Sequence, residues 1–231
     1  MMCWQFRGSP IDPPSVVDQI VSQLRWAIVR GMLGPGQKIS LRPLIARLGV
    51  SFIPVREALR ILAADGLVLL GPPGHSATVA PLDAADLFGL SRLRRVIEPQ
   101  LAARACALWP AGELTRLEAP VTPVAPSEPL APEVFEASLR FDRELLRPAT
   151  TSWDEKELER LWLGTARYLH LGRAKLVGEP PGKYRTEAEQ QRELLAAFRT
   201  HNPTLVRTTW QRRLDRDEAV AMLALAPGPA Q

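Results

Sequence analysis

Apolar residues recur at three- and four-residue spacing after Ser15, a pattern that predicts an amphipathic helix. Ser15 is the expected N-cap, and Asp18 lies three positions later, where a carboxylate favours a helix N-terminus. The helix is expected to end at Gly31, before the turn Gly34-Pro35-Gly36. Its apolar positions are Val17, Ile20, Val21, Leu24, Ala27 and Ile28.

Two short helices are predicted next. The first runs from Arg42 to Leu48 and is closed by Gly49, and the second is capped by Ser51 and runs to Asp65. A proline in the first turn of the second helix costs little, because its N–H would be unpaired there. The spacing predicts that the second helix buries one face and turns the other outward. The buried face consists of Val55, Ala58, Leu59 and Leu62, and the outward face carries Phe52, Arg56 and Arg60.

The segments 67–70 and 77–80 are predicted to be short strands around a turn rich in glycine and proline. A short helix, a tight turn, a helix that exposes arginines and then a hairpin are typical of a winged helix-turn-helix, whose second helix enters the DNA major groove.

The apolar spacing in the rest of the chain predicts five helices, at 84–108, 133–147, 154–175, 186–200 and 203–225. The expected fold class is therefore mainly α, with an N-terminal winged helix-turn-helix and a C-terminal all-α bundle.

Composition excludes several classes of protein. The 231 residues are 46% hydrophobic and 23% charged, a mixture typical of a globular chain rather than a disordered one. No apolar run approaches the ~20 residues that span a bilayer, so no membrane partner is expected. The first residues lack the apolar core of a secretion signal. Cys3 and Cys106 cannot form a disulfide framework or a structural zinc site, which favours a cytoplasmic location.

The positive charge is concentrated at the N-terminal end. Residues 1–80 carry eight Lys or Arg and four Asp or Glu, whereas residues 81–231 carry 21 of each. A basic head on a neutral body is typical of a protein that binds a polyanion through the head. An ordinary solvated surface is the alternative interpretation of so small a surplus.

The N-terminal third resembles the DNA-reading segment of GntR-type bacterial transcription regulators. The similarity covers about residues 15–82 and depends most on Pro54-Val55-Arg56-Glu57-Ala58-Leu59 and on the turn Leu33-Gly34-Pro35-Gly36. It implies that Arg56 and Arg42 contact DNA and that Ser51 contacts phosphate, with Ile53 beside them.

Two positions depart from that family's pattern. Phe52 stands where arginine is common, which removes a contact worth about 1–3 kcal/mol of base discrimination. It could press on a thymine methyl or, alternatively, pack between domains. His75-Ser76 replaces an Arg-Gly pair at the tip of the wing, where His75 is expected to contact DNA unless it is a bystander.

Residues 94–105 resemble the opening helix of the FCD ligand-sensing domain of the FadR-like branch, which implies a bundle of six or seven helices. The predicted organisation is a flexible arm at 1–14, a DNA-binding domain at 15–81, an effector-binding and dimerisation domain at 82–226 and a flexible tail at 227–231. A proline every three residues forbids a regular helix, so an extended surface loop is expected at 119–132.

Four polar residues lie on helix faces whose other residues are apolar, so these faces are predicted to be buried. Buried polar groups must be paired or bind something. The four residues are Ser138, Asp142, Gln191 and Arg213. The resemblance implies that metal-binding FCD domains have an aspartate and three histidines at these four positions. Only Asp142 is a good metal ligand here, and Arg213 would repel a cation, so no zinc, nickel or manganese is expected.

Two interpretations of this polar set remain open. Arg94 and Arg213 could hold an anionic effector such as a carboxylate through charge-assisted bonds. Alternatively, Arg213 pairs with Asp142 in a structural salt bridge that replaces the metal.

The predicted function is a DNA-binding transcriptional regulator without a cofactor. We expect a repressor that binds a short palindromic operator in double-stranded DNA as a homodimer and responds to a small anionic effector. One alternative is a ligand-independent DNA-binding or interaction protein with a degenerate effector domain. An enzyme is disfavoured, because no nucleophile elbow, HExxH, glycine-rich phosphate loop or Cys/His arrangement occurs.

Overall fold

The described residues of the N-terminal part form three helices and a small sheet. This computed structural model describes residues 15–72, 76–114, 117, 132–176 and 184–226. The helices are α1 (Val16–Val29), α2 (Leu41–Leu48) and α3 (Phe52–Ala64). Three antiparallel strands, β1 (Lys38–Ile39), β2 (Val68–Leu69) and β3 (Ala77–Val79), form a sheet in the order β1-β3-β2. The register places Lys38 opposite Thr78 and Val68 opposite Val79.

The predicted winged helix-turn-helix is therefore present, with differences of detail. Ser15 caps α1 in a reciprocal capping box with Asp18, as predicted. Ser51 occupies the N-cap position of α3, but its side chain makes no capping hydrogen bond. Strand β1 was not predicted, because two residues are too short to show an alternating pattern.

One core holds the N-terminal domain together. It is formed by the inner faces of α1 and α3 and by one face of the sheet. Its most buried residues include Ile28, Ile39, Val55, Ala58, Leu62, Leu67, Val68 and Val79. Because α3 buries one face in this core, its opposite face is fixed toward solvent.

The C-terminal part is a bundle of helices, as predicted. The described residues form α4 (Ala84–Leu108), the short α5 (Ala111–Leu114), α6 (Pro132–Leu146), α7 (Ser152–Ala174), α8 (Glu187–Arg199) and α9 (Pro203–Leu223), with a 3₁₀ turn at Arg147–Ala149. The bounds of α4 agree with the prediction, and Asp83 caps it by accepting from the backbone N–H groups of Ala85 and Asp86. The other predicted helices differ by one or two residues at their ends, and α5 was not predicted.

Helices α4, α7 and α9 form the centre of the bundle. Gly172 allows α7 and α9 to approach closely, since a Cβ there would collide with the carbonyl oxygen of Val220. A second core lies between α4, α6, α7, α8 and α9, and includes Cys106, Leu145, Leu158, Leu194, Phe198, Val206 and Trp210. None of the helices in the described ranges is long and apolar enough to cross a membrane.

The two parts of the chain contact each other through α1, α6 and α7. Arg167 donates hydrogen bonds to the carbonyl oxygens of Ala80 (2.9 Å) and Pro81 (3.2 Å), and so anchors the connecting segment to α7. The Trp26 ring of α1 packs edge-on against Phe135 of α6. Its indole N–H donates to Glu136 at 3.2 Å. The predicted loop at 119–132 lies outside the described residues except for Pro132, which begins α6.

Candidate functional site

The outward face of α3 carries the predicted DNA-contacting residues. Ser51, Phe52, Ile53 and Arg56 are exposed, and Ile53 is 77% exposed. Phe52 is 45% exposed, so its ring is not buried between domains. Arg42 is exposed at the start of α2, the helix that precedes the turn. The helix-turn-helix thus presents two arginines and two apolar side chains on one accessible surface.

The arginines of this surface differ in their partners. Arg60 pairs with Glu57 at 3.4 Å on the same helix. Arg42 and Arg56 form no ion pair with any part of the chain that the structure describes. Their guanidinium groups are therefore accessible to an external anion. The predicted contact residue His75 lies outside the described residues.

The five residues predicted for an effector pocket meet inside the bundle. Arg94 comes from α4, Ser138 and Asp142 from α6, Gln191 from α8 and Arg213 from α9. All five are buried, with 6% or less of each exposed. The helical faces that we identified from the sequence thus do converge on one polar cluster.

Arg213 is the centre of one half of this cluster. Its Nη1 donates to Asp142 Oδ1 at 2.5 Å and its Nη2 to Glu187 Oε1 at 2.8 Å. Gln191 donates to Ser138 at 2.7 Å, and Ser138 donates to Glu187 at 2.8 Å. The salt bridge between Arg213 and Asp142, one of the two interpretations left open by the sequence, is present in the structure.

Arg94 is the centre of the other half. Its Nε donates to Glu98 Oε1 at 2.6 Å, and its two Nη atoms lie 3.5 Å from Asp217 Oδ2. Glu98 also accepts from the indole N–H groups of Trp162 (3.1 Å) and Trp210 (2.8 Å). Both guanidinium groups predicted to hold an effector are therefore already engaged by carboxylates.

Sequence reasoning missed four charged members of the cluster. Arg173 pairs with Glu187 at 2.9 Å, and Glu98 and Asp217 surround Arg94. The spacing of four between Arg94 and Glu98 on one helix was a usable signal. The other pairs join residues far apart in sequence or across a turn, so only the packed bundle brings them together.

Burial and charge act in opposite directions on the acidic residues. Burial opposes ionisation of Glu187, but the Arg213 and Arg173 guanidinium groups and the Ser138 hydroxyl outweigh it and lower its pKa to about 2. Burial raises the pKa of Asp142 to about 6, because Arg213 only partly offsets the loss of hydration. The carboxylates also raise the pKa of Arg213 against the effect of its burial, so this arginine is a fixed cation.

This arrangement does not fit a divalent metal ion. A guanidinium already lies between Asp142 and Glu187, and the amide of Gln191 and the hydroxyl of Ser138 are weak ligands. Among the described residues, no group of three His, Cys, Asp or Glu side chains has the geometry to hold one.

Comparison with known proteins identifies both parts of the chain. Residues 16–73 match the profile of the gntR family of bacterial regulatory proteins, and residues 90–216 match the FCD domain. The chain belongs to the GntR family and carries a C-terminal FCD domain. GntR regulators bind DNA and generally act as dimers, and FCD domains bind small-molecule effectors.

Individual relatives agree with this assignment. The chain is 29% identical over 160 residues to the HTH-type transcriptional regulator YdfH of Escherichia coli O6:H1. The aligned region covers 68% of this chain and 70% of YdfH. The chain is 28% identical over 165 residues to the HTH-type transcriptional repressor RspR of E. coli K12, covering 70% and 71%. These relatives are transcriptional regulators and not enzymes.

Solved structures share the fold. The E. coli McbR/YncC structure superposes with a TM-score of 0.67 at 23% identity, covering 90% of this chain and 97% of that one. A GntR-type regulator from Rhodococcus sp. RHA1 gives 0.61 at 23% identity, covering 89% and 97%. The mainly α architecture with a winged head is therefore the fold of this family.

Proposed function

We propose that this GntR-family regulator is a homodimeric repressor that binds a short palindromic operator in double-stranded DNA. The observation that carries this proposal is the outward face of α3, where Arg56 is exposed and unpaired with any described residue. The relative RspR is named a repressor, which supports the sign of the regulation. This function places the protein in the cytoplasm with the chromosome.

Each predicted contact has a proposed chemical role. We propose that Arg56, on the outward face of α3, contacts guanine edges in the major groove, and that Arg42, on the preceding helix, binds the phosphate backbone. Ser51 lies at the N-terminal end of α3, where free N–H groups favour a phosphate. Phe52 and Ile53 offer apolar contact to a thymine methyl. His75 remains a predicted contact at the wing.

We propose a homodimer because a single DNA-binding domain contacts only a short stretch of DNA. A single recognition helix reads only a few base pairs, and two-fold symmetry matches two heads to the two halves of a palindrome. Each half-site then lies about one helical turn of DNA, roughly 34–36 Å, from the other.

For the bundle, we propose that a small anionic effector binds at the polar cluster and weakens operator binding. This effect requires an effector that binds more tightly to one arrangement of the two DNA-binding domains than to another, because only such a ligand shifts the dimer toward the arrangement it prefers. The second candidate is a regulator that does not respond to a ligand. It is favoured by one observation, that the guanidinium groups of Arg94 and Arg213 are neutralised by Glu98, Asp217, Asp142 and Glu187.

Gel-shift titration on the DNA upstream of the protein's own gene tests the proposal. We expect a specific complex whose affinity falls as salt concentration rises, because phosphate binding releases counterions. A scrambled duplex of equal length and composition is the control. Equal affinity for both duplexes at every salt concentration would contradict the proposed function.

A further inference from the structure

An open cleft lies where the end of α3 meets α4 and α7. Its volume is about 340 Å³, at the lower end of the range of about 300–1,000 Å³ that small-molecule sites occupy. Asp65 and Gly66, which directly follow α3, line one side, and residues of α4 and α7 line the others. The polar cluster around Arg94 and Arg213 lies elsewhere, because none of its described members lines this cleft. The cleft is therefore separate from the proposed effector site in the bundle.

The floor of the cleft is apolar and contains two glycines. At Gly89 of α4, an added Cβ would meet no described atom within 4 Å, so this position borders open space. Gly164 of α7 lets the Leu90 side chain lie close to the helix, because a Cβ there would come within 3.1 Å of Leu90 Cδ2. Together with Ala85, these residues form a small apolar surface that suits a short aliphatic group.

One buried donor in the wall of the cleft lacks an acceptor among the described residues. Arg167 is 5% exposed, and its Nη atoms donate to the carbonyl oxygens of Ala80 and Pro81. Its Nε atom is buried and has no hydrogen-bond partner within the described ranges. Buried donors are normally paired, so an unpaired one in the wall of a cleft indicates a place for an external acceptor.

Two exposed groups of opposite charge also line the cleft. They are Arg160 of α7 and Asp86 of α4, and neither forms an ion pair with any residue that the structure describes. Asp65, the other carboxylate of the cleft, is already bonded to Arg25 at 2.8 Å. The groups left for a ligand are therefore one guanidinium, one carboxylate and the Nε–H of Arg167.

We propose that this cleft binds a small zwitterion, an α-amino acid with an aliphatic side chain. Its carboxylate accepts hydrogen bonds from Arg160 and from the Nε–H of Arg167, its ammonium group binds Asp86, and its side chain lies on the apolar floor. A simple anion would be repelled by Asp86, and a simple cation would be repelled by the two arginines. A zwitterion pairs all three groups through charge-assisted hydrogen bonds.

The cleft depends on the junction between the two parts of the chain. The family profiles cover residues 16–73 and 90–216, whereas Asp86 and Gly89 lie between them. The carboxylate that would hold the ammonium group is therefore outside both profiles. A ligand that contacts Asp65 or Gly66 on one side and α7 on the other favours the arrangement in which the DNA-binding domain lies against the bundle.

Isothermal titration calorimetry of the full chain with L-leucine tests this site. Two analogues are the ligand controls: 4-methylpentanoate, which lacks the amino group, and 3-methylbutylamine, which lacks the carboxylate. We expect L-leucine to bind and each analogue to bind about tenfold or more weakly, because each loses at least one charge-assisted hydrogen bond. Glycine, which lacks the aliphatic side chain, should also bind more weakly than L-leucine.

Variants of the protein locate the bound amino acid. Arg160→Gln and Asp86→Asn should each weaken L-leucine binding about tenfold or more. Their ligand-free melting temperatures should stay close to that of the wild type, because both side chains are exposed and form no ion pair within the described residues. Gly89→Leu should abolish binding, because its side chain would occupy the open space of the cleft. Arg212→Gln, at an exposed arginine outside the cleft, should bind like the wild type.

Several results would overturn the amino-acid site: no binding of L-leucine, equally tight binding of 4-methylpentanoate, or wild-type affinity in Arg160→Gln and Asp86→Asn. Undiminished binding to Gly89→Leu would place the ligand elsewhere in the molecule and would equally reject the site. Operator affinity of the same samples is measured in parallel. Operator binding without L-leucine binding rejects only this inference, whereas L-leucine binding without operator binding rejects only the proposed function.

Discussion

Replacing Arg213 by methionine should lower the free energy of unfolding by about 3 kcal/mol or more. Removing one partner of a buried ion pair typically costs about 3–5 kcal/mol, because it leaves a charge without compensation. In this cluster, Asp142 would lose its ion-pair partner at 2.5 Å, whereas Glu187 would keep Arg173 at 2.9 Å. Asp142 can also take up a proton, since its pKa is already about 6. The expected cost therefore lies near the lower end of the range.

Urea unfolding followed by tryptophan fluorescence measures this cost. A loss of 3 kcal/mol corresponds to a fall in melting temperature of about 6–12 °C for a chain of this size. Arg212→Met is the matched control, because the neighbouring Arg212 side chain is 54% exposed and only 3.9 Å from Glu193. An exposed pair of this kind is worth about 1 kcal/mol or less.

The double variant Asp142→Leu with Arg213→Met separates charge from packing. It removes the unmatched carboxylate together with the guanidinium, so it should recover part of the stability lost by Arg213→Met alone. A loss below about 1 kcal/mol for Arg213→Met, equal to that of Arg212→Met, would show that the buried network does not stabilise the fold.

Other predictions concern pH and packing. The lowered pKa of Glu187 stabilises the fold above pH 4.5, and this contribution is lost as the pH falls from 4.5 toward 2. Glu187→Gln should therefore flatten that part of the unfolding profile, and an unchanged slope would contradict the assignment. The raised pKa of Asp142 has the opposite sign: its destabilising effect develops as the pH rises from 3.8 through 6, so Asp142→Asn should remove a decrease in stability over that interval. Gly172→Ala should destabilise the bundle by about 1–3 kcal/mol, because its Cβ meets the Val220 backbone. Gly89→Ala is the control, because a Cβ at that position meets nothing within 4 Å. Equal melting temperatures for the Gly172→Ala and Gly89→Ala variants would contradict the close approach of α7 to α9.

Much of the fold could be predicted because its signals are local. Asp83 marks the start of α4, and the spacing of Val55, Ala58, Leu59 and Leu62 determines which face of α3 is exposed. Strand β1 depends instead on pairing with β3, a contact between residues about forty positions apart. No local pattern in two residues contains that information.

The candidate site was only partly predictable for a similar reason. Polar residues on apolar stripes, such as Ser138 and Gln191, are conspicuous because burial is unfavourable for them. Glu187 lies in the first turn of α8, where an acidic residue is common at the surface, so its burial could not be inferred from position. Arg30 follows the end of α1 in the DNA-binding domain, and only the packing of α1 on α7 brings it close to the polar cluster of the bundle.

The most direct test of DNA reading by α3 is the operator affinity of Arg56→Ala, measured by fluorescence anisotropy at constant salt with Arg212→Ala as the control. Arg56→Ala should weaken specific binding by about 1–3 kcal/mol, or about 5- to 150-fold, and reduce discrimination against a scrambled duplex. Arg212→Ala should bind like the wild type. Wild-type affinity and discrimination in Arg56→Ala would contradict the account.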